Sequence, residues 1–291
     1  MEYSIVDWHT DEAKRLPKRP QESNKGTFGR VLCVCGSLGM CGAAYLAAKA
    51  AYRTGAGLVR ILTVEENRPM LQTMLPEAIV SVYDKDEPDL ALVDEAASWA
   101  DTLVIGCGLG VSRASRTVTA HLLRYSKKPK VIDADALNLI SQNPSLLKYT
   151  KDTILTPHPM EMARLVDRSV EEVLEHSEEI AAELSKKHGA VVVLKRHRTL
   201  TADGNTIYRN TTGNSGMATG GSGDVLAGIL GGLLAQIRNE ELPTAELAAT
   251  GVLIHGMCGD LAARELGEHA TMASDLVDAL PAVLRWAEQQ P

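Results

Sequence analysis

Short runs of β-branched and aliphatic residues recur along the chain and are separated by stretches with helical spacing. The runs Arg30 to Cys35, Leu58 to Val64, Thr102 to Ile105 and Lys130 to Asp133 are apolar on both faces, and Ile154 to Thr156 and Val191 to Lys195 continue the series. Apolar character on both faces predicts strands buried inside a mainly parallel sheet. The intervening segments predict helices at Gly42 to Thr54 and at Glu171 to His188. In the second, Leu174, Ile180, Ala181 and Leu184 form the apolar stripe and Gly189 supplies the stop. Thr199 to Thr201 and Thr206 to Arg209, joined through Ala202-Asp203-Gly204, predict an antiparallel hairpin at one edge of the sheet. From Gly223 onward the pattern is helical, over Asp224 to Gln236, Ala245 to Glu265 and Ser274 to Glu288.

Alternating strands and helices imply an α/β fold with a central, mainly parallel sheet covered on both faces. No Ser/Gly linker, repeat or low-complexity tract divides the chain. We therefore expect one catalytic domain over residues 26–291, preceded by a polar lead-in at residues 1–25.

Composition narrows this picture. The 291 residues are 45% hydrophobic but 4% aromatic, with a single Phe, so the core is built from Ala, Val, Leu and Ile. A formal charge of −7 with scattered basic residues argues against a nucleic-acid partner. The cluster Lys14, Arg15, Lys18, Arg19 is diluted by prolines and acids and is read as a solvated arm. Five cysteines, an odd number with no C-x-x-C pair, suggest buried thiols in a reducing cytoplasm. His255 and Cys258 share a helix face, but no second pair accompanies them, which disfavours zinc. The first fifteen residues are too polar and acidic for a signal peptide. The longest apolar run, Val225 to Ile237, is too short to cross a membrane, so a cytoplasmic location is expected.

The segment most suggestive of chemistry is Thr212-Gly213-Asn214-Ser215-Gly216-Met217-Ala218-Thr219-Gly220-Gly221-Ser222-Gly223-Asp224, which runs directly into a helix. Five glycines allow backbone N–H groups to approach a ligand closely. A helix N-terminus directly behind such a loop favours an anion. Asp224 in that first turn would serve as a simple favourable charge at the helix end. Set behind a five-glycine loop, it fits better as the base of a phosphoryl-transfer site, with the Gly220, Gly221, Ser222 and Gly223 amides as the anion hole.

The stretch GNSGMATGGSGDVLAG resembles the anion-hole motif of ribokinase-like enzymes, and its full form resembles the NAD(P)H-hydrate dehydratase family. Lys25 to Val59, Ile105 to Gly110, Val131 to Leu137, Leu155 to Leu165 and Val191 to Thr199 agree in order, so the resemblance covers nearly the whole chain after residue 20. It implies a ribokinase-like fold in which Ala43, Gly106, Gly108, His158 and Asp224 contact the hydrated dinucleotide. Lys195, Arg196, His197, Arg198, Thr199 and Gly223 would contact the adenine nucleotide. Two departures stand out: the family generally carries Pro where this chain has Cys107, and Gly where it has Arg196.

Each of these segments also has a plainer reading. Gly106-Cys107-Gly108-Leu109-Gly110 is a G-x-G-x-G turn at a strand end, without the acidic residue about twenty positions on that a Rossmann site needs. A lone histidine is more often structural, although two prolines flank His158 and fix its backbone. Asp133 and Asp135 either cap a helix or support Mg²⁺ through water; no firm metal ligand is assigned.

The reaction implied by the resemblance is dehydration of hydrated NADH or NADPH with ADP as phosphate donor, in preference to ATP, with Mg²⁺ present and AMP and phosphate released. Small-molecule substrates are the implied partners, and relatives suggest a homotetramer. The alternative is a small-molecule kinase of the same fold acting on hydroxyethylthiazole, a hydroxymethylpyrimidine or a sugar. It would use the same loop and the same aspartate.

Overall fold

The computed structural model describes residues 3–236 and 242–289. Met1, Glu2, Gln290, Pro291 and Ile237, the last residue of the long apolar run, lie outside them. Ten strands among the described residues form one sheet: β1 (Ser4–Trp8), β2 (Arg30–Val34), β3 (Leu58–Val64), β4 (Ile79–Tyr83), β5 (Thr102–Ile105), β6 (Lys130–Ile132), β7 (Thr153–Leu155), β8 (Val191–Leu194), β9 (Leu200–Ala202) and β10 (Thr206–Asn210). Their spatial order is β1-β10-β9-β8-β7-β6-β5-β2-β3-β4. All neighbours are parallel except β9, which runs antiparallel to both β8 and β10.

Eleven α-helices among the described residues follow in chain order: α1 (Cys41–Arg53), α2 (Arg68–Met74), α3 (Leu90–Trp99), α4 (Arg113–Tyr125), α5 (Ala134–Gln142), α6 (Pro159–Val166), α7 (Val170–Glu175), α8 (Ser177–His188), α9 (Ser222–Gln236), α10 (Thr244–Leu266) and α11 (Ala273–Glu288).

Successive strand side chains point to opposite faces, and both faces are covered. Leu32, Val34, Leu103, Ile105, Ile132 and Leu155 pack with residues of α3, α4, α5, α6 and α8. The alternate positions Val31, Cys33, Val104, Val131, Ile154 and Val193 pack against alanines of α1, Leu226 and Leu230 of α9, and Val252 of α10. Small residues set the spacing on that second face. A Cβ on Gly228 would lie 2.2 Å from the Ala47 carbonyl oxygen, and one on Gly231 would lie 2.3 Å from Val104 Cγ2. Glycine at both positions lets α9 touch α1 and the sheet together. The fold is α/β, with helices on both faces of a mainly parallel sheet, as the resemblance implies.

The structure corrects several expectations. The hairpin β9–β10 is not at the sheet edge, because Ser4–Trp8 adds to β10 in parallel register, Ser4 opposite Thr206. The lead-in thus supplies a strand and buries Trp8 and Ala13. Its basic cluster, Lys14, Arg15, Lys18 and Arg19, is exposed as expected, although Arg15 and Arg19 also make contacts. Arg15 pairs with Glu246 at 2.8 Å, and the Arg19 guanidinium lies 3.5 Å from the centre of the Phe28 ring. The helix expected over Glu171 to His188 is two helices. His176 leaves helical geometry at φ −115°, ψ 36°, and the Ser177 hydroxyl bonds back to the Val173 carbonyl at 2.7 Å. Leu174 is consequently exposed, and the buried position belongs to Val173. Among the described residues no helix is long and apolar enough to cross a membrane. The five cysteines are unpaired, with Cys41 half-buried and the rest buried.

Candidate active site

The chain steps outward from β2 to β3 to β4 on one side, and from β5 through β6 and β7 to β8 on the other. The sheet order therefore reverses between β2 and β5, and ligands of open α/β sheets bind outside the strand ends at such a reversal. The loops after these two strands meet there. Gly36 N–H donates to the Cys107 carbonyl at 2.8 Å, and the Ser37 hydroxyl donates to the Gly108 carbonyl at 2.9 Å. Gly106, at φ 126°, has no room for a side chain, since a Cβ would lie 1.9 Å from the Asp133 carbonyl oxygen. The loop after β5 is thereby pressed onto the loop after β6.

Beside this junction opens a cavity of about 1000 Å³, lined by residues from four strand ends and the head of α9. Asp133, His158, Lys195, Arg196, His197, Arg198, Thr199, Gly221, Ser222, Gly223 and Asp224 all face it. Ala43, Gly106 and Gly108 do not. They lie beside the cavity, packed so closely that a Cβ on Gly108 would be 2.7 Å from Ala43 Cβ. Cys107 links the two regions, because its sulfur and carboxylate oxygens of Asp133 and Asp224 lie within 4.8 Å of one another. Gly220 has open space around it, with nothing within 4 Å of a Cβ placed there.

The anion-binding loop is held from outside. Gly213 N–H and the Asn214 side-chain amide each donate to an oxygen of Asp260 at 2.9 Å, and the Ser215 hydroxyl donates to Glu268. Gly221 sits at φ 93°, a left-handed turn that feeds the chain into α9. Asp224 is half-buried in the first turn of α9. Burial, and then the negative charge of Asp133, push its pKa up to about 6. A carboxylate at that value is a far better proton acceptor near neutral pH than an ordinary exposed aspartate.

Lys195 directly follows β8, and its ammonium lies 2.5 Å from Asp133 Oδ1 and 3.8 Å from Glu161 Oε2. Burial works against the Lys195 charge, but these two carboxylates outweigh it and hold the pKa above the ordinary lysine value. Burial pushes Glu161 up in turn. His158 is the N-cap of α6 in a reciprocal capping box. Its Nδ1 accepts from the Met160 and Glu161 amides at 3.2 and 3.3 Å, while Glu161 Oε2 accepts from the His158 amide at 2.8 Å. With Nδ1 accepting, the hydrogen-bond pattern assigns the ring proton to Nε2, which lies 3.3 Å from Glu161 Oε1. Burial and the Lys195 charge lower the His158 pKa, keeping the ring neutral at physiological pH.

The two departures from the family pattern are accommodated. The turn after β8 places its left-handed residue at Arg198, φ 58°, so Arg196 needs no special backbone geometry. Cys107 is fully buried between two glycines that carry the positive φ angles.

Sequence reasoning passed over Glu161, Asp260 and the pairing of His255 with Ser222. For Glu161 a signal was present, because an acid three residues after the N-cap is the mark of a capping box. Asp260 and His255 lie within α10; the sequence marked His255 only for sharing a helix face with Cys258, and nothing local marked Asp260.

Residues 31–282 match the family model described as NAD(P)H-hydrate dehydratase. The chain is 42% identical over 288 residues to the bifunctional NAD(P)H-hydrate repair enzyme of Moorella thermoacetica, covering 95% of this chain but 53% of that protein. It thus spans about half the length of the bifunctional relatives it matches. It is 40% identical to the ADP-dependent (S)-NAD(P)H-hydrate dehydratase of Neisseria meningitidis, with 92% of this chain and 88% of that protein aligned. A ribokinase-like superfamily structure from Enterococcus faecalis superposes with a TM-score of 0.89 at 31% identity, covering 99% and 97% of the two chains. The ADP/ATP-dependent NAD(P)H-hydrate dehydratase of Bacillus subtilis, co-crystallized with ATP and Mg²⁺, superposes with a TM-score of 0.83 at 31% identity, covering 98% and 99%. A hydroxyethylthiazole kinase from Pyrococcus horikoshii shares the fold, at a TM-score of 0.63 and 15% identity.

Proposed function

The chain belongs to the NAD(P)H-hydrate dehydratase family, and from that premise we propose that it removes water from the hydrated form of NADH or NADPH, with ADP as phosphoryl donor. The observation that carries this reading is the placement of Asp224. It sits on the first turn of α9, directly behind a glycine-rich loop, in the same cavity as His158 and Lys195. The cavity is of a size that small-molecule and cofactor sites have.

Hydroxide is a poor leaving group from the hydrated nicotinamide ring. Asp224 accepts the proton of the ring hydroxyl as the hydroxyl oxygen attacks the terminal phosphorus of ADP, forming an O–P bond and releasing AMP. The ring nitrogen then donates its electron pair, the C–O bond breaks, and inorganic phosphate departs with loss of a ring proton to give NAD(P)H. Amides from Gly220 to Gly223 hold the charge of the transferring group, which is the part of such a reaction where fixed dipoles contribute most. Lys195, paired with Asp133, supplies a positive charge beside Gly223, since a Cβ placed on that glycine would lie 3.4 Å from the Lys195 ammonium. His158, neutral and half-exposed on its cap, offers its ring edge to the nicotinamide side.

The carboxylate of Asp133, with Oδ1 on Lys195, is a hard oxygen donor on the cavity wall and would fit Mg²⁺ through Oδ2, directly or through water, whereas both oxygens of Glu161 are engaged by His158. Asp135 is less free for this, because its Oδ2 accepts from the Gly110 amide at 2.7 Å. When bound, Mg²⁺ supplies neutralisation of the donor phosphates. The nucleotide and Mg²⁺ in the B. subtilis relative, and the ADP dependence of the N. meningitidis one, support this choice of donor and ion.

The test is incubation of the protein with hydrated NADH, Mg²⁺ and either ADP or ATP, following recovery of the near-ultraviolet absorbance of reduced nicotinamide. Recovery with stoichiometric phosphate is expected, faster with ADP. A kinase of this fold would instead accumulate a stable phosphorylated alcohol and restore no absorbance.

A further inference from the structure

Ser222, the first residue of α9, and His255, in the middle of α10, face each other under the head of the anion loop. Ser222 Oγ and His255 Nε2 are 3.3 Å apart. Each residue keeps 8% of its surface, and both border the cavity beside Gly223 and Asp224. The mechanism above gives His255 no task. Burial holds its pKa down to about 4, so the ring adds no charge to the phosphate site at neutral pH.

A neutral imidazole carries one N–H and one bare nitrogen, and a serine hydroxyl carries one proton and two lone pairs. Two arrangements of this contact are therefore available. If the ring proton is on Nδ1, the Ser222 hydroxyl donates inward to bare Nε2 and turns a lone pair toward the cavity, where it repels an anion. If the proton is on Nε2, the ring donates to Ser222 Oγ and the serine proton is left pointing outward. Only the second arrangement adds a hydrogen-bond donor to the amides at the start of α9.

We propose that His255 is a positioning residue: it donates from Nε2–H to Ser222 Oγ and so turns the Ser222 hydroxyl outward as a donor to the phosphoryl group at the head of α9. This rests on the phosphoryl-transfer reading given above. His255 touches no substrate; its whole effect passes through Ser222.

The experiment is a double-mutant cycle on turnover, read beside thermal unfolding of each protein. Ser222→Ala lowers kcat by about 10²–10³, the scale of one lost donor to a developing anion, and His255→Leu lowers it by a similar factor. In the Ser222→Ala background, His255→Leu costs less than a further twofold. His255→Gln, whose amide offers an N–H at similar reach, recovers most of the loss. Multiplying effects of the two substitutions, or a His255→Gln protein as slow as His255→Leu, would overturn the proposal.

If His255→Leu does not fold, ¹⁵N-histidine spectra of the unaltered protein with ADP and Mg²⁺ decide the matter. Protonated Nε2 is expected, and protonated Nδ1 sinks the idea. Wild-type protein that binds ADP but restores no nicotinamide absorbance would overturn the dehydratase reading instead, and the tautomer measurement separates that failure from this one.

Discussion

The Lys195 ammonium lies 2.5 Å from Asp133 Oδ1, joining the ends of β8 and β6 across the intervening strand β7. Asp133 is 1% exposed and Glu161, the second carboxylate within reach of the same ammonium, is 4% exposed. The lysine thus keeps two buried carboxylates from facing each other without a cation.

Removing Lys195 is therefore expected to destabilise the protein. Breaking a buried ion pair by deleting one partner typically costs about 3–5 kcal/mol, and Lys195→Ala should fall near the lower figure because a fifth of its side chain is open to solvent. The sign of the pH dependence follows from Glu161, whose pKa burial has raised. A carboxyl raised in the folded state stabilises at low pH, and that contribution is lost as pH rises through its folded value. The deficit of Lys195→Ala should thus be smaller at pH 5 than at pH 8, as denaturant unfolding at the two values will show.

Asp224→Asn keeps the size of the side chain and removes the proton acceptor. Nucleotide affinity, measured by calorimetry with ADP and Mg²⁺, should stay within a fewfold of wild type. Turnover of hydrated NADH should fall by about 10²–10⁴, the range that general-base catalysis supplies. Unchanged turnover would remove Asp224 from the reaction.

Because the Asp224 pKa is raised to about 6, the carboxyl is protonated and idle as a base below that value. The rate should therefore rise with pH through a limb near 6 and flatten above it. Asp133→Asn removes a negative neighbour and leaves the Lys195 charge unbalanced, so the limb should move to lower pH. It should stay above the ordinary aspartate range, because burial is the larger cause. A limb that does not move on this substitution would contradict the assigned coupling.

Two adjacent glycines should part company on substitution. A Cβ on Gly220 meets nothing within 4 Å, so Gly220→Ala should unfold at close to the wild-type temperature, while ADP binding weakens if the Gly220 amide serves the proposed anion hole. A Cβ on Gly221 would lie 2.6 Å from Leu46 Cδ1 and 3.0 Å from Ala273 Cβ, at φ 93°. Overpacking of this kind costs about 1–3 kcal/mol, and the left-handed backbone adds to it. Thermal unfolding and calorimetry on both variants check the contrast.

The central strands were legible in the sequence because burial on both faces writes continuous apolar runs. Leu58 to Val64 and Thr102 to Ile105 coincide with the observed β3 and β5. One edge strand is written more faintly. Ser4–Trp8 is exposed at its first four positions and carries no continuous apolar run, whereas Ile79–Tyr83 reads Ile-Val-Ser-Val-Tyr, a β-branched run that sequence reasoning passed over. The glycine-rich loop and Asp224 stood out because their chemistry is contiguous in the chain. Asp260, Ser222–His255 and the reach of Glu161 to Lys195 act across distant segments, and those relationships exist only once the sheet order brings the segments together. The break at His176 was hidden for a different reason: the residues on both sides are good helix formers, and a single hydroxyl, that of Ser177, takes a carbonyl near the junction.

The pairing of β1 with β10 ties together residues about two hundred positions apart, as in the contact of Ser4 with Thr206. Loop closure over such a span is slow to arrive during folding. Until that outermost seam forms, β10 offers a bare row of amides and carbonyls to any passing strand. A protein shortened at its start should accordingly be sticky before it is inactive, with self-association under refolding as its first symptom.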